Sequence, residues 1–261
     1  RNVTFGYEVS KAVLQDISLE VSPGQTVALV GPSGVGKTTL ISLLLRLYDP
    51  WSGQILLDGH DVRKLKLGSI RRWIGIAMQD PLLLNGSIRD NICFGNPTAS
   101  EAQVREAAIL ADAHAFIAEL PRGYDTVIGE EGCNLSAGQQ QRIAIARALV
   151  KAPRVLILDE AMSSISSASE QRILKSLRDF HGQRTTIIAS HRLSTVRDAD
   201  RIYVLENGRI AEEGSHADLI DKQGAYYRLF ADQIERAEAL GCVGKAVSAA
   251  SAEAPVVVDG I

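Results

Sequence analysis

The stretch Gly31–Thr39, reading Gly-Pro-Ser-Gly-Val-Gly-Lys-Thr-Thr, constrains this chain more than any other. An apolar run, Thr26–Val30, precedes it, and an apolar-periodic run, Leu40–Leu47, follows it. That pattern predicts a strand, a glycine-rich loop and a helix. Gly31, Gly36, Lys37 and Thr38 fit the spacing G-x-x-x-x-G-K-[ST]. Glycines lack a Cβ, so backbone N–H groups can close around phosphate oxygens. A helix beginning near Lys37 turns its positive end toward the same phosphates. Lys37 can reach the β- and γ-phosphates of a nucleotide, and the Thr38 hydroxyl can ligate Mg²⁺. The candidate phosphate site is therefore Gly31, Ser33, Gly34, Gly36, Lys37, Thr38 and Thr39. A plain turn joining strand to helix is the alternative, and the complete motif in its proper context argues against it.

Composition sets only broad limits. With 261 residues, 46% hydrophobic and 23% charged, the chain has the make-up of a globular protein large enough for a main domain and a smaller one. A net charge of -3 gives no sign of a nucleic-acid surface. No apolar run approaches the ~18 residues of a bilayer-spanning helix. The first residue is Arg1, inside what reads as a strand (Val3, Phe5, Tyr7), so the expectation is a cut from a longer parent protein. Cys93, Cys133 and Cys242 form neither a C-x-x-C nor a zinc pattern, which predicts free thiols in a reducing compartment.

Asn2–Tyr7 and Val13–Val21 alternate like half-buried strands, and Gln25–Val30 reads as a buried one. Gln54–Leu57 and Ile74–Met78 are further strand-like runs, the first followed by a tight turn at Asp58-Gly59. From Leu82 the pattern turns helical, with i, i+3, i+4 spacing in Ser100–Ala111 and Ala113–Leu120, and again in Gly138–Val150. This predicts an inserted helical subdomain over approximately 82–150. Strand Arg154–Asp159, helix Ala168–Phe180, strand Thr185–Ser190 and strand Arg201–Leu205 follow. A hairpin turn at Glu206–Arg209 leads to helices His216–Asp221 and Ala225–Ala239. Continuous apolar strands alternating with helices imply a parallel sheet covered on both faces. The tail 241–261 has no clear period and is expected to be poorly ordered.

Two more stretches carry chemistry. Arg154–Glu160 is an apolar strand that delivers Asp159 and Glu160 at its C-terminal end, where α/β folds bind ligands. Asp159 can hold Mg²⁺, directly or through water, and Glu160 can polarise an attacking water. Asn134–Gln139, with Ser136 and Gly138 at the start of a helix, is a second anion-binding helix start, or else a simple N-cap.

With these residues in view, the chain resembles the nucleotide-binding domain of an ATP-binding cassette (ABC) transporter. Leu135–Gln139 is similar to that family's LSGGQ signature, with Ala137 in place of the first of its two glycines. Gln79 falls at the Q-loop glutamine, His191 at the switch histidine and Tyr7 at the aromatic that stacks on adenine. The motifs occur in family order over roughly residues 2–230.

The resemblance implies a P-loop NTPase (RecA-like) core with an antiparallel β subdomain and the inserted helical subdomain, the whole over 1–240. It implies ATP and Mg²⁺ as cofactors, and an ATP sandwich in which two such domains pair head to tail. Each ATP lies between the phosphate loop of one and Ser136, Gly138 and Gln139 of the other. The implied catalytic set is Glu160, His191, Lys37 and Gln79. The implied metal set is Thr38, Gln79 and Asp159. The implied partners are a second cassette and the transmembrane domains of the transporter, at the cytoplasmic face of a membrane. Thr126–Gly132 resembles an exporter motif whose Glu130 would touch a coupling helix. An importer subunit, a soluble cassette ATPase and a degenerate domain that binds without cleaving are the competing readings. Long heptads are absent, and Glu160 and His191 are both present, which argues against the last two. One departure stands out: Ser166 occupies the place of an aspartate expected at the dimer seam, and Met162 stands where threonine is common. That predicts a loosened cross-dimer contact.

Overall fold

The strands predicted from continuous apolar runs assemble into one sheet, and the phosphate loop opens from its middle. The computed structural model describes residues 1–129, 135–179 and 184–235. β1 (Val3–Phe5) and β2 (Leu14–Ile17) pair antiparallel. β3 (Thr26–Val30) leads through the glycine loop into α1 (Lys37–Leu44). β4 (Leu56–Leu57) and β5 (His60–Asp61) form a hairpin whose turn residues, Asp58 and Gly59, have φ of 49° and 77°. Positive φ at both positions is what a tight two-residue hairpin needs. α2 (Leu67–Trp73) then runs into β6 (Ile74–Ala77).

Two short strands, β7 (Gly86–Ser87) and β8 (Val127–Ile128), pair antiparallel and enclose α3 (Ile88–Cys93), α4 (Glu101–Leu110) and α5 (His114–Glu119). The long helix α6 (Ala137–Leu149) precedes β9 (Val155–Asp159), α7 (Ser167–Asp179), β10 (Thr185–Ala189) and the single turn α8 (Leu193–Val196). β11 (Arg201–Glu206) and β12 (Arg209–Gly214) form a hairpin, and α9 (His216–Lys222) and α10 (225–235) follow.

The main sheet has the order β12-β11-β3-β10-β9-β6. Its neighbours are parallel except for the β11–β12 pair. β3, β9 and β10 are buried at every position after the first. Their successive side chains enter different cores. Val27 and Leu29 pack with Leu40 and Ile41 of α1. Ala28 and Val30 pack on the other face with Tyr226 and Phe230 of α10. Leu156 and Leu158 join Ile143 and Ile145 of α6 and Ile173 of α7 in a cluster that continues through Ile88, Val104 and Phe116 of α3–α5. Burial on both faces is why these strands read as unbroken apolar runs.

Three helices and one strand pair are not predicted from the sequence. α2 buries only Ile70, so it carries no apolar period. α3 and α8 are too short to show one. The β7–β8 pair also lies inside the stretch read as purely helical. Cys93 is a free thiol. Cys133, Cys242, Glu130 and the tail 241–261 lie outside the described residues.

Candidate active site

Register decides what the sheet brings together. Leu29 of β3 pairs with Ala189 of β10, and Ala189 pairs with Asp159 of β9. Leu158 pairs with Ala77 of β6, so Glu160 and Gln79 are level. The residues just beyond these strands, Gly31, His191, Glu160 and Gln79, therefore leave the sheet along one C-terminal edge, where open α/β sheets bind ligands.

The three loop glycines serve different ends. Gly31 has φ 148°, and a Cβ on it would lie 2.4 Å from the Leu205 carbonyl oxygen. Gly36 has φ 112°, and its Cβ would meet Leu14 Cδ2 at 2.6 Å. Both are buried against protein. Gly34, with φ 78°, faces open space, and its neighbour Ser33 and the later Thr38 are exposed. α1 has Gly36 as its N-cap and no side-chain cap, so its first-turn amides are left for a ligand. Lys37 is buried and donates from Nζ to the Gly31 oxygen at 2.8 Å and the Pro32 oxygen at 3.1 Å. Burial pulls its pKa below the usual lysine value, while the nearby Glu160 and Asp159 charges act in the opposite direction.

Asp159 is buried, and its Oδ1 has no hydrogen-bond partner. Burial raises its pKa and Glu160 adds to that, opposed by the Thr38 hydroxyl and Lys37. An unpartnered buried carboxylate oxygen beside a hydroxyl suits a hard cation such as Mg²⁺. Among the described residues no group of three or more His, Cys, Asp and Glu could hold a metal alone. A cation here would complete its shell from water and phosphate, as Mg²⁺ commonly does.

Glu160 departs from the extended strand geometry expected for it. Its φ is 49°, and its N–H donates to the Ala189 oxygen at 2.8 Å. A non-glycine residue held there costs about 1–3 kcal/mol, the kind of strain that gathers at functional sites. His191 Nδ1 lies 3.5 Å from Glu160 Oε2. The Tyr7 hydroxyl is 3.1 Å from Thr39 Oγ1, which ties its exposed ring to the start of α1. Phe5 and Tyr48 meet that ring edge-on, each 5.4 Å between centroids. Gln79 is exposed and lines a cleft with Asp80, Gln140, Gln141 and Ser164. Gln141 Nε2 anchors its loop by donating to the Met78 oxygen at 2.7 Å.

The second anion-binding helix start is built separately. Ser136 Oγ accepts the Gln139 N–H at 3.3 Å, and Gln139 Oε1 accepts the Ser136 N–H at 2.9 Å. This capping box starts α6. A Cβ on Gly138 would lie 2.8 Å from the Ser164 oxygen, so this glycine lets α6 approach the loop after β9. α6 packs on one face of the sheet and α1 on the other. Within one chain, Ser136, Gly138 and Gln139 therefore belong to a different face from the phosphate loop.

Sequence reading passes over the residues that brace this edge. Glu170 is 1% exposed, and Arg192 Nη1 lies 2.8 Å from its Oε2, a charge contact without hydrogen-bond alignment. Ser194 and Thr195 hydroxyls donate to the other carboxylate oxygen at 2.8 and 2.5 Å. The same Arg192 donates to the Met162 and Ile165 oxygens at 2.8 and 3.3 Å, linking the residue after His191 to the loop after Glu160. The available signal is that Glu170 lies on the helical stripe of Ile173, Leu174 and Leu177. Ser166 begins α7: its Oγ accepts the Ser169 N–H at 3.4 Å and its carbonyl accepts the Glu170 N–H at 2.9 Å. Serine is about as good an N-cap as the aspartate it replaces.

A glycine-rich phosphate loop, a buried carboxylate and a strand-end glutamate on one edge of a largely parallel sheet define a P-loop NTPase. A model of the ABC transporter family matches residues 14–163. An ATP-dependent lipid A-core flippase of Syntrophus aciditrophicus is 51% identical over 229 residues, 88% of this chain and 38% of the relative. A Staphylococcus aureus protein named as a multidrug export ATP-binding/permease protein is 49% identical over 233 residues, 89% of this chain and 40% of the relative. The structure of a bacterial Atm1-family ABC exporter with ATP bound superposes with a TM-score of 0.86 at 48% identity, covering 89% of this chain and 41% of that one. The chain belongs to the ABC transporter family, as an ATP-binding and ATP-hydrolysing domain. It spans about two fifths of the length of these relatives. No helix among the described residues is long and apolar enough to cross a membrane.

Proposed function

We propose that this domain works as one half of an ATP sandwich that powers export by a membrane transporter. The observation that carries the reading is the separation of two anion-binding helix starts onto opposite faces of one sheet. Neither is a complete ATP site, and head-to-tail pairing with a second cassette completes both. In each composite site Tyr7 stacks on the base, while the loop amides and Lys37 bind the phosphates. The partner's α6 start adds its Ser136, Gly138 and Gln139 from the far side.

Thr38 and Asp159, with Gln79 at the rim, would hold Mg²⁺, which when bound would offset phosphate charge. Glu160 accepts a proton from water in line with the γ-phosphorus. His191, which can donate and accept, holds the γ-phosphate and stays in register with Glu160. The ADP and phosphate so formed no longer bridge the two halves, and the dimer reopens.

The export reading draws on the flippase and export proteins among the relatives and on an apolar patch beside Gln79. Leu82 and Phe94 are 77% and 64% exposed. Both lie on Arg147, which donates to the Leu82 oxygen at 2.7 Å and covers the Phe94 ring at 5.7 Å. A transmembrane domain docked there, with the cassette on the cytoplasmic face, would sense Gln79. The test is ATPase rate against protein concentration, with sedimentation alongside. Specific activity rising with concentration as dimer forms is expected. A constant specific activity in a proven monomer overturns the sandwich.

A further inference from the structure

We propose that Gln233, on the C-terminal helix, is the positioning residue that holds His191 for hydrolysis. The inference rests on His191 acting at the γ-phosphate, as argued above.

The side-chain amide of Gln233 grips the backbone on both sides of one residue. Its Oε1 accepts the Leu193 N–H at 2.9 Å, and its Nε2 donates to the His191 carbonyl at 3.2 Å. Leu193 is the first residue of α8, whose N-cap is Arg192 without a side-chain cap bond. Arginine has no acceptor with which to cap a helix start. Gln233 supplies that acceptor from a different helix. The other side of His191 is tied to the sheet. The Ser190 N–H donates to the Leu29 oxygen at 3.3 Å, and Ser190 Oγ accepts the Arg192 N–H at 3.0 Å.

This clamp matters because the imidazole is loosely packed. The His191 side chain is 58% exposed, with Glu160 beside it at 3.5 Å. A ring with few neighbours takes its aim from its backbone. α10 can supply a fixed reference, since Tyr226, Phe230 and Ile234 are buried with Leu193 and Val196 in one apolar cluster. Gln233 adjoins Ile234 at the rim of that cluster. The helix end far from the phosphate loop in sequence thereby sets the geometry of the switch residue.

Only an amide satisfies both contacts, because one needs an acceptor and the other a donor. Gln233→Leu removes both. Gln233→Glu keeps the bond to Leu193, loses the one to His191 and is close to isosteric, so it guards against misfolding of the leucine variant. The experiment is ATPase kinetics of the full chain for wild type, Gln233→Leu and Gln233→Glu, each with and without His191→Ala, the slow variants by single turnover. Misplacing a catalytic group by a fraction of an ångström to an ångström costs on the order of 10- to 100-fold in rate. The expected result is a kcat about tenfold lower for Gln233→Leu, an intermediate value for Gln233→Glu, and KM for ATP within about twofold of wild type. In the His191→Ala background the Gln233 changes should have no further effect. An unchanged kcat in Gln233→Leu, or an equal fall in both backgrounds, overturns the proposal. His191→Ala turning over ATP like wild type would instead refute the role given to His191 itself.

Discussion

Arg192→Met tests whether the site edge is braced as described. The substitution keeps an unbranched apolar stem and removes the guanidinium. Glu170, 1% exposed, would be left with only the Ser194 and Thr195 hydroxyls as partners, and the Met162 and Ile165 carbonyls would lose their shared donor. Breaking a buried ion pair costs about 3–5 kcal/mol. Arg192 is 27% exposed, so water can partly replace it, and two hydroxyls remain. The expected destabilisation is therefore about 2–3 kcal/mol. Urea unfolding followed by circular dichroism should show a lower midpoint at unchanged m-value. Adding Glu170→Gln removes the stranded charge and should recover at least about 1 kcal/mol, because a pair replaced by neutral groups costs far less than a pair cut in half. ATPase activity should stay low in the double variant, since the loop after Glu160 is still unbraced. A single variant within about 0.5 kcal/mol of wild type, or a double variant no more stable than the single, would refute this account of the brace.

The loop glycines should separate folding from binding. Gly31→Ala, which drives a methyl into the Leu205 carbonyl, should lower the melting temperature markedly. Gly34→Ala meets no atom and should cost only about 1–2 kcal/mol of left-handed strain while still crowding bound phosphate, so a nucleotide titration should reveal the larger loss. Lys37→Ala should weaken nucleotide binding at least about tenfold by removing a charge-assisted phosphate contact, and unchanged affinity for ATP with Mg²⁺ would count against its place in the site. Tyr7→Ala should cost about 1–3 kcal/mol of nucleotide binding and Tyr7→Trp little. Equal affinities for both and wild type would leave Tyr7 as a mere neighbour of Thr39.

Much of the site is legible in the sequence because its residues do their work close to where the chain turns. The run Thr26–Val30 must be buried on both faces, and the glycines after it stand at the spacing of a phosphate loop. Asp159 and Glu160 stand out as carboxylates ending an apolar strand. The supporting contacts are less legible because they span long separations and use ordinary residue types. Gln233 reaches back 42 positions to His191. Arg192 reaches Met162 over 30. No local pattern marks a glutamine at the rim of a helix as a clamp, or an arginine beside a histidine as a brace. The positive φ of Glu160, whose N–H still bonds to the Ala189 oxygen of the next strand, is likewise a feature that strand alternation does not anticipate. Ser166 carries the opposite lesson. Read against a family motif it is a missing charge, yet in the fold it is a helix cap, a role serine fills well.

We propose that Glu160 is the base in a site assembled from two cassettes. The most direct measurement pairs ATP affinity with single-turnover hydrolysis for wild type and Glu160→Gln at equal protein concentration. The amide keeps the shape and removes the proton acceptor, so affinity should stay within about twofold while hydrolysis falls at least about 10²-fold and the ATP-bound dimer persists in sedimentation. A Glu160→Gln variant that bound ATP normally and still hydrolysed it near the wild-type rate would contradict the account.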